Sequence, residues 1–149
     1  MNADFPEFER DIKSAAEAAG NSVVSLYDYV PDGGMRDVLA GAHATIYGSF
    51  IEGFGLPFLE SLWQGLPCIC HNGSALAEIA PGGGTIMADM LDENEIARAI
   101  ELVATDPVLC DKLADEAISR PLRTWTDYAS DIMQVLRNVD AILEYDPLY

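Results

Sequence analysis

The chain has 149 residues, half of them hydrophobic, enough for one packed domain and too apolar for a disordered segment. Its formal net charge of −17 excludes nucleic acid as a partner, since a phosphate backbone needs a Lys/Arg footprint, and disfavours docking of this domain on an anionic membrane. Cys68, Cys70 and Cys110 lack a second pair, so no structural zinc site is expected; reduced, buried thiols in a cytoplasmic protein are the plain reading.

Met1-Asn2-Ala3-Asp4 is acidic and lacks the positive start of a secretory signal. Phe5 to Ala19 has the pattern of a short amphipathic helix, closed by Gly20-Asn21. Val23 to Tyr27 reads as a strand, ending before Pro31-Asp32-Gly33-Gly34, and Met35 to Ala42 as a second short helix. Ala44-Thr45-Ile46-Tyr47-Gly48 predicts a strand buried on both faces. A loop follows, and Pro57 opens a helix running to about Gln64, because proline in a first turn costs no hydrogen bond. Gly65-Leu66-Pro67 breaks that helix. Cys68-Ile69-Cys70 predicts a strand with both thiols on one face, Ala75 to Ala80 a short helix, and Thr85-Ile86-Met87 the last strand. Asp92 or Asn94 caps a helix whose Ile96, Ala99, Ile100 and Val103 form one stripe. Asp106-Pro107 starts another, and Ile132, Val135, Leu136 and Val139 line a long C-terminal helix that Trp125 and Tyr128 help to pack. Ala44 to Cys70 is the most hydrophobic stretch, but Glu52, Glu60 and several Gly and Pro keep it from spanning a bilayer.

This alternation implies a Rossmann-like α/β fold, a parallel sheet flanked by helices. Only about four strands are visible and the chain opens on a helix, so the sheet reads as truncated on its N-terminal side. An open strand edge and apolar surface predict some self-association.

The chemistry concentrates in Tyr47-Gly48-Ser49-Phe50-Ile51-Glu52-Gly53-Phe54-Gly55-Leu56-Pro57-Phe58-Leu59-Glu60. A strand ends, a glycine-containing loop follows and a helix begins, which is where open parallel sheets bind ligands. Gly53 and Gly55 let the backbone approach a ligand, and the helix start offers free N–H groups to a phosphate. Glu60, expected in the first helical turn, has the acceptors to hold both hydroxyls of a ribose; Glu52, on the far side of the phosphate position, could face a transferred sugar. Plainer readings stand beside these: the helix dipole alone favours an early Glu, and Glu52 is also an ordinary loop residue.

The same run resembles the Glu-x7-Glu motif of retaining GT-B-fold glycosyltransferases of family 4, also called group 1. Both glutamates, the Gly-Phe-Gly between them and the proline match. Gln64-Gly65-Leu66-Pro67-Cys68-Ile69 is similar to the family's Gly-x-Pro strand, and Asn72 to Ile79 to its Gly-Ser-x-x-Pro-Glu segment, with Ala77 in place of proline. The resemblance covers roughly residues 20 to 140. It implies that Glu60 binds the ribose and that Glu52 contacts the donor sugar and steadies positive charge at its anomeric carbon. It further implies that Gly53, Phe54, Gly55 and Leu56 line the sugar and diphosphate, and that Tyr29 and Val30 lie where the base stacks. Asp28 departs from the glycine usual there, which leaves the base open. Neither cofactor nor metal is implied.

No basic residue lies between Arg36 and Arg98, although a leaving diphosphate needs a cationic clamp. Family members supply an Arg and a Lys from the first strand–helix unit of this domain, beside an N-terminal acceptor domain. Residues 1–149 thus read as a partial C-terminal donor domain of a longer enzyme, inactive in isolation. The expected partners are a UDP- or GDP-hexose and a saccharide or lipid-linked acceptor, in polysaccharide or lipopolysaccharide assembly. The expected place is the cytoplasm, at the inner face of the membrane in the full-length enzyme. A non-catalytic glycosyltransferase-like interaction module is the alternative. Pro81-Gly82-Gly83-Gly84 reads as a turn, His43 and His71 as isolated, and the acidic run Asp89, Asp92, Glu93, Glu95 as a solvated helix start.

Overall fold

The structure, a computed structural model, describes residues 6–20, 24–25, 27 and 29–138. The chain divides into two units, Met1–Ala42 and His43–Tyr149. The first contains α1 (Pro6–Ala19) and α2 (Asp32–Ala40). Helix α2 starts three residues before the expected Met35. Pro31 sits in extended backbone as its N-cap and accepts the Met35 N–H at 2.9 Å, so Gly33-Gly34 forms the first turn and not a preceding loop. The strand expected over Val23 to Tyr27 is not formed by its described residues Val24, Ser25 and Tyr27; Val23 and Leu26 lie outside the described residues.

The second unit carries β1 (Thr45–Tyr47), α3 (Leu56–Trp63), β2 (Cys68–His71), α4 (Ser74–Ile79) with a 3-10 turn at Ala80–Gly82, and β3 (Thr85–Ala88). Helices α5 (Glu93–Thr105), α6 (Pro107–Ser119) and α7 (Trp125–Arg137) follow. Among the described residues the sheet has three strands, in the order β1-β2-β3, all parallel. Thr45 pairs with Cys68, and Cys68 with Thr85, which sets the register of both ladders.

Strand β2 is central and buried on both faces, as its unbroken Cys-Ile-Cys run requires. Cys68 and Cys70 point to the side covered by Phe58 and Leu62 of α3, Leu76 of α4 and Ala117 of α6. Ile69 points the other way, to Ala88, Met90 and Ala99 of α5. Strand β1 departs from expectation: among the described residues it is an edge strand, and Ile46 is 52% exposed instead of buried. Helix α3 turns Phe58 and Leu62, four apart, into the core, with Ser61 on the same flank bonded to Thr45 Oγ1 at 2.6 Å and donating to Leu66 O at 3.1 Å.

Helices α5 and α6 start at the caps legible in the sequence. The Asp92 carboxylate accepts from the N–H groups of Asn94 and Glu95, and that of Asp106 from Leu109. Thr124 and Asp127 form a capping box at α7. That helix buries no residue: Trp125 is 85% exposed, touching Tyr128 edge-on at 6.1 Å, and Val135 and Leu136 are exposed. The expected stripe exists but is not packed into the core; Val139 lies outside the described residues. The Gly83-Gly84 turn is closed by Arg120, whose guanidinium donates to the carbonyls of Ile79, Ala80 and Gly83 and lies 6.0 Å above the Phe58 ring. All three cysteines are free; Cys110 is half-buried, not buried as expected. No helix among the described residues is long and apolar enough to cross a membrane.

Candidate functional site

Because the strands are parallel, the segments leaving Tyr47, His71 and Ala88 emerge at one edge of the sheet. The loop 48–55 leaves β1 there and hands over to α3 at Gly55. That residue is buried with φ +74°, and a Cβ on it would stand 2.8 Å from Leu76 Cδ2. Only glycine fits both the left-handed backbone and the space. Gly53 is different, since a Cβ there would meet nothing within 4 Å.

Gly55 is the N-cap of α3 and no side chain caps this helix. Pro57 has no N–H, so the donors of the first turn are those of Leu56 and Phe58, set at the positive end of the helix dipole. An anionic group is the complement of this arrangement.

Glu52 is half-buried and its carboxylate is held. The Tyr47 phenol donates to Glu52 Oε1 at 2.6 Å. The Ser49 hydroxyl and then the Tyr47 phenol hold the Glu52 carboxyl below the usual carboxylate range. In turn, bonding to Glu52 pushes the Tyr47 phenol above its ordinary value, because ionising it would set two anions together. Across neutral pH the pair is therefore carboxylate and neutral phenol.

Glu60 is not in the first turn of α3, as the sequence suggested, but in its second; the helix begins at Leu56, and no acidic residue occupies the first turn. Phe58, Ser61 and Leu62 take the inward face, which leaves Glu60 exposed on the outside. Phe54 and Leu56 are exposed and Gly53 lies open between Glu52 and Phe54. Tyr29, 83% exposed, and Val30, half-buried, belong to the unit Met1–Ala42; Asp28 lies outside the described residues.

Two features escape a reading of the sequence. One is Tyr47, a ring in an apolar run that also carries the hydroxyl bound to Glu52. The other is His71, which is not isolated: its Nδ1 accepts the Met90 N–H at 3.3 Å and its ring meets Phe50 of the loop edge-on at 5.3 Å. Its place as the last residue of β2, at the edge where the loops emerge, is the signal that could have marked it. The acidic run is a helix start, with Asp92 as the N-cap and Glu95 accepting the Asp89 N–H. Among the described residues no group of three or more His, Cys, Asp or Glu is arranged to hold a metal ion.

The glycosyl transferases group 1 family matches residues 5–120. The chain is 40% identical over 72 residues to O-antigen chain mannosyltransferase B of Escherichia coli, a stretch that is 48% of this chain and 19% of that protein. Its structure superposes on sucrose-phosphate synthase from Thermosynechococcus elongatus with a TM-score of 0.74 at 22% identity, covering 91% of this chain and 35% of the other. The chain thus spans about a fifth of the first relative and about a third of the second.

Proposed function

The chain belongs to the glycosyl transferases group 1 family, and on that premise we propose that it binds the nucleotide-sugar donor of a hexosyl transfer. One observation carries the reading: loop 48–55 joins the carboxyl end of β1 to an α3 start with no side-chain cap, with Glu52 held in the loop before that start and Glu60 exposed in the second turn after it. In this reading the diphosphate faces the N–H groups of Leu56 and Phe58, and the backbone of Gly53 to Leu56 lies along it and the sugar. Glu60 takes the ribose hydroxyls. Glu52, kept anionic, faces the positive charge that develops at the anomeric carbon during transfer with retention.

The mannosyltransferase relative suggests a mannosyl donor such as GDP-mannose, with UDP-hexoses as the other class. The acceptor would be a saccharide or lipid-linked saccharide in O-antigen-type assembly at the cytoplasmic face of the membrane. The acceptor side and the cations facing the leaving diphosphate come, in this reading, from a preceding part of a longer protein.

The test is an NMR titration of the chain with UDP, GDP, ADP, UDP-glucose and GDP-mannose. Shifts at about millimolar concentration, centred on Gly53 to Glu60, selective for one base and lost in Glu60→Ala, are expected. Shifts elsewhere, or none with any of the five, would count against donor binding.

A further inference from the structure

Loop 48–55 is held near its start by the Phe50 ring against His71 and, within itself, by the Ser49 hydroxyl on Glu52. Ile51 is 89% exposed and Phe54 59%, so burial does not anchor its middle. Within the loop, Ser49 Oγ reaches Ile51 O at a long 3.4 Å. Tyr47 adds a tie from the loop to the core. Its ring packs against the core cluster of Phe58, Leu62 and Leu76 at the base of the loop. Its Cε1 lies 3.8 Å from where a Gly55 Cβ would be, so the ring also bears on the end of the loop. Its hydroxyl meets Glu52 in the middle at 2.6 Å, the length of a charge-assisted hydrogen bond.

Resting on the donor-site reading of Glu52, we infer that Tyr47 is a positioning residue: beside the Ser49 hydroxyl, it ties Glu52 Oε1 to the end of β1 and so sets the direction in which the carboxylate meets the donor's sugar. The core sets the ring, the ring sets the hydroxyl, and the hydroxyl sets the carboxylate. The shifts of both groups agree with this arrangement, each favouring the form it takes in the pair.

The test uses Tyr47→Phe, which keeps the ring and deletes only the hydroxyl, beside Glu52→Gln. The first readout is the Glu52 carboxyl carbon, titrated by NMR in the unliganded chain; its midpoint rises in Tyr47→Phe. The second is the affinity for GDP-mannose against that for GDP. Tyr47→Phe weakens GDP-mannose about fivefold, the worth of one hydrogen bond, and leaves GDP unchanged. Glu52→Gln weakens GDP-mannose at least as much, again sparing GDP. If Glu52→Gln weakens GDP-mannose while Tyr47→Phe changes neither the midpoint nor the affinity, the inference about Tyr47 is overturned and the reading of Glu52 stands. If Glu52→Gln binds GDP-mannose like the wild type, the reading of Glu52 fails and the inference with it.

Discussion

Gly53 and Gly55 flank one phenylalanine, yet alanine substitutions at the two positions should behave in opposite ways. At Gly55 the backbone is left-handed, at φ +74°, which costs a residue with a Cβ about 1–2 kcal/mol. The new methyl would also stand 2.8 Å from Leu76 Cδ2, and Leu76 is fully buried with no free direction in which to swing. Overpacking of this kind adds about 1–3 kcal/mol, so Gly55→Ala should lose about 3 kcal/mol, or about 10 °C in Tm. At Gly53 the backbone is not left-handed and space is open, so Gly53→Ala should stay within about 0.5 kcal/mol of the wild type. Its effect belongs to the ligand: a Cβ beside Glu52 intrudes where the donor backbone contact is proposed, and nucleotide-sugar affinity should fall. Urea denaturation followed by circular dichroism reads the stabilities, and the nucleotide titration reads the binding. A Gly55→Ala variant as stable as the wild type would refute the packing argument. A Gly53→Ala variant of undiminished affinity would refute the close approach of donor to backbone.

Arg120→Met keeps the stem but removes the donors to Ile79, Ala80 and Gly83, and should cost about 2 kcal/mol by chemical denaturation; an unchanged midpoint would show that the clamp contributes nothing. Burial pushes the Cys70 thiol up to about 12 and raises that of Cys68, so a thiol reagent at pH 8 should modify Cys110 quickly and the other two only after unfolding. Three fast thiols in the native chain would contradict this. Asp92 is held low by the Asn94 N–H and Asp127 by the Thr124 N–H, so each stabilises the fold above the ordinary aspartate value of about pH 4 and loses that contribution as pH falls through its lower folded value. An Asp92→Asn, Asp127→Asn double variant should therefore show a flatter acid limb in a Tm-against-pH series; an identical limb would rule these two groups out. The exposed Ile46 edge of β1 and the apolar face of α7 should give concentration-dependent self-association in light scattering, and a monodisperse monomer at high concentration would count against it.

Local chemistry makes most of the second unit readable in the sequence. Asp92, Asp106 and Pro57 mark helix starts because a carboxylate or a missing N–H has one good use there, and Cys68-Ile69-Cys70 reads as a strand with both thiols on one face. Errors arose where the answer depends on something distant in sequence. Ile46 reads as buried from its own neighbours, but its exposure follows from β1 lying at the edge. The α7 stripe is correctly amphipathic, yet periodicity does not say whether a partner face exists. Glu60 falls in the second turn and not the first because α3 begins at Leu56, one residue before Pro57, and the orientation of Phe58 and Leu62 toward the core, not the dipole, decides where Glu60 points. Within the candidate site the two glutamates and glycines were legible from spacing. The role of the Tyr47 hydroxyl was not, since it requires the path of a loop that brings residue 52 back to residue 47.

The clamp made by Arg120 also bears on how the chain is completed during synthesis. The family match ends at residue 120, and the guanidinium there satisfies carbonyls roughly forty positions earlier while covering Phe58. Leu122, just beyond, is the last residue to join the core cluster. A nascent chain that has emerged only as far as Ser119 therefore has α3, α4 and all three strands in hand, but an open turn and an uncovered ring. The second unit should close in one late step as Arg120 to Leu122 leave the ribosome, and a released fragment ending at Ser119 should remain sensitive to protease where one ending at Arg123 resists.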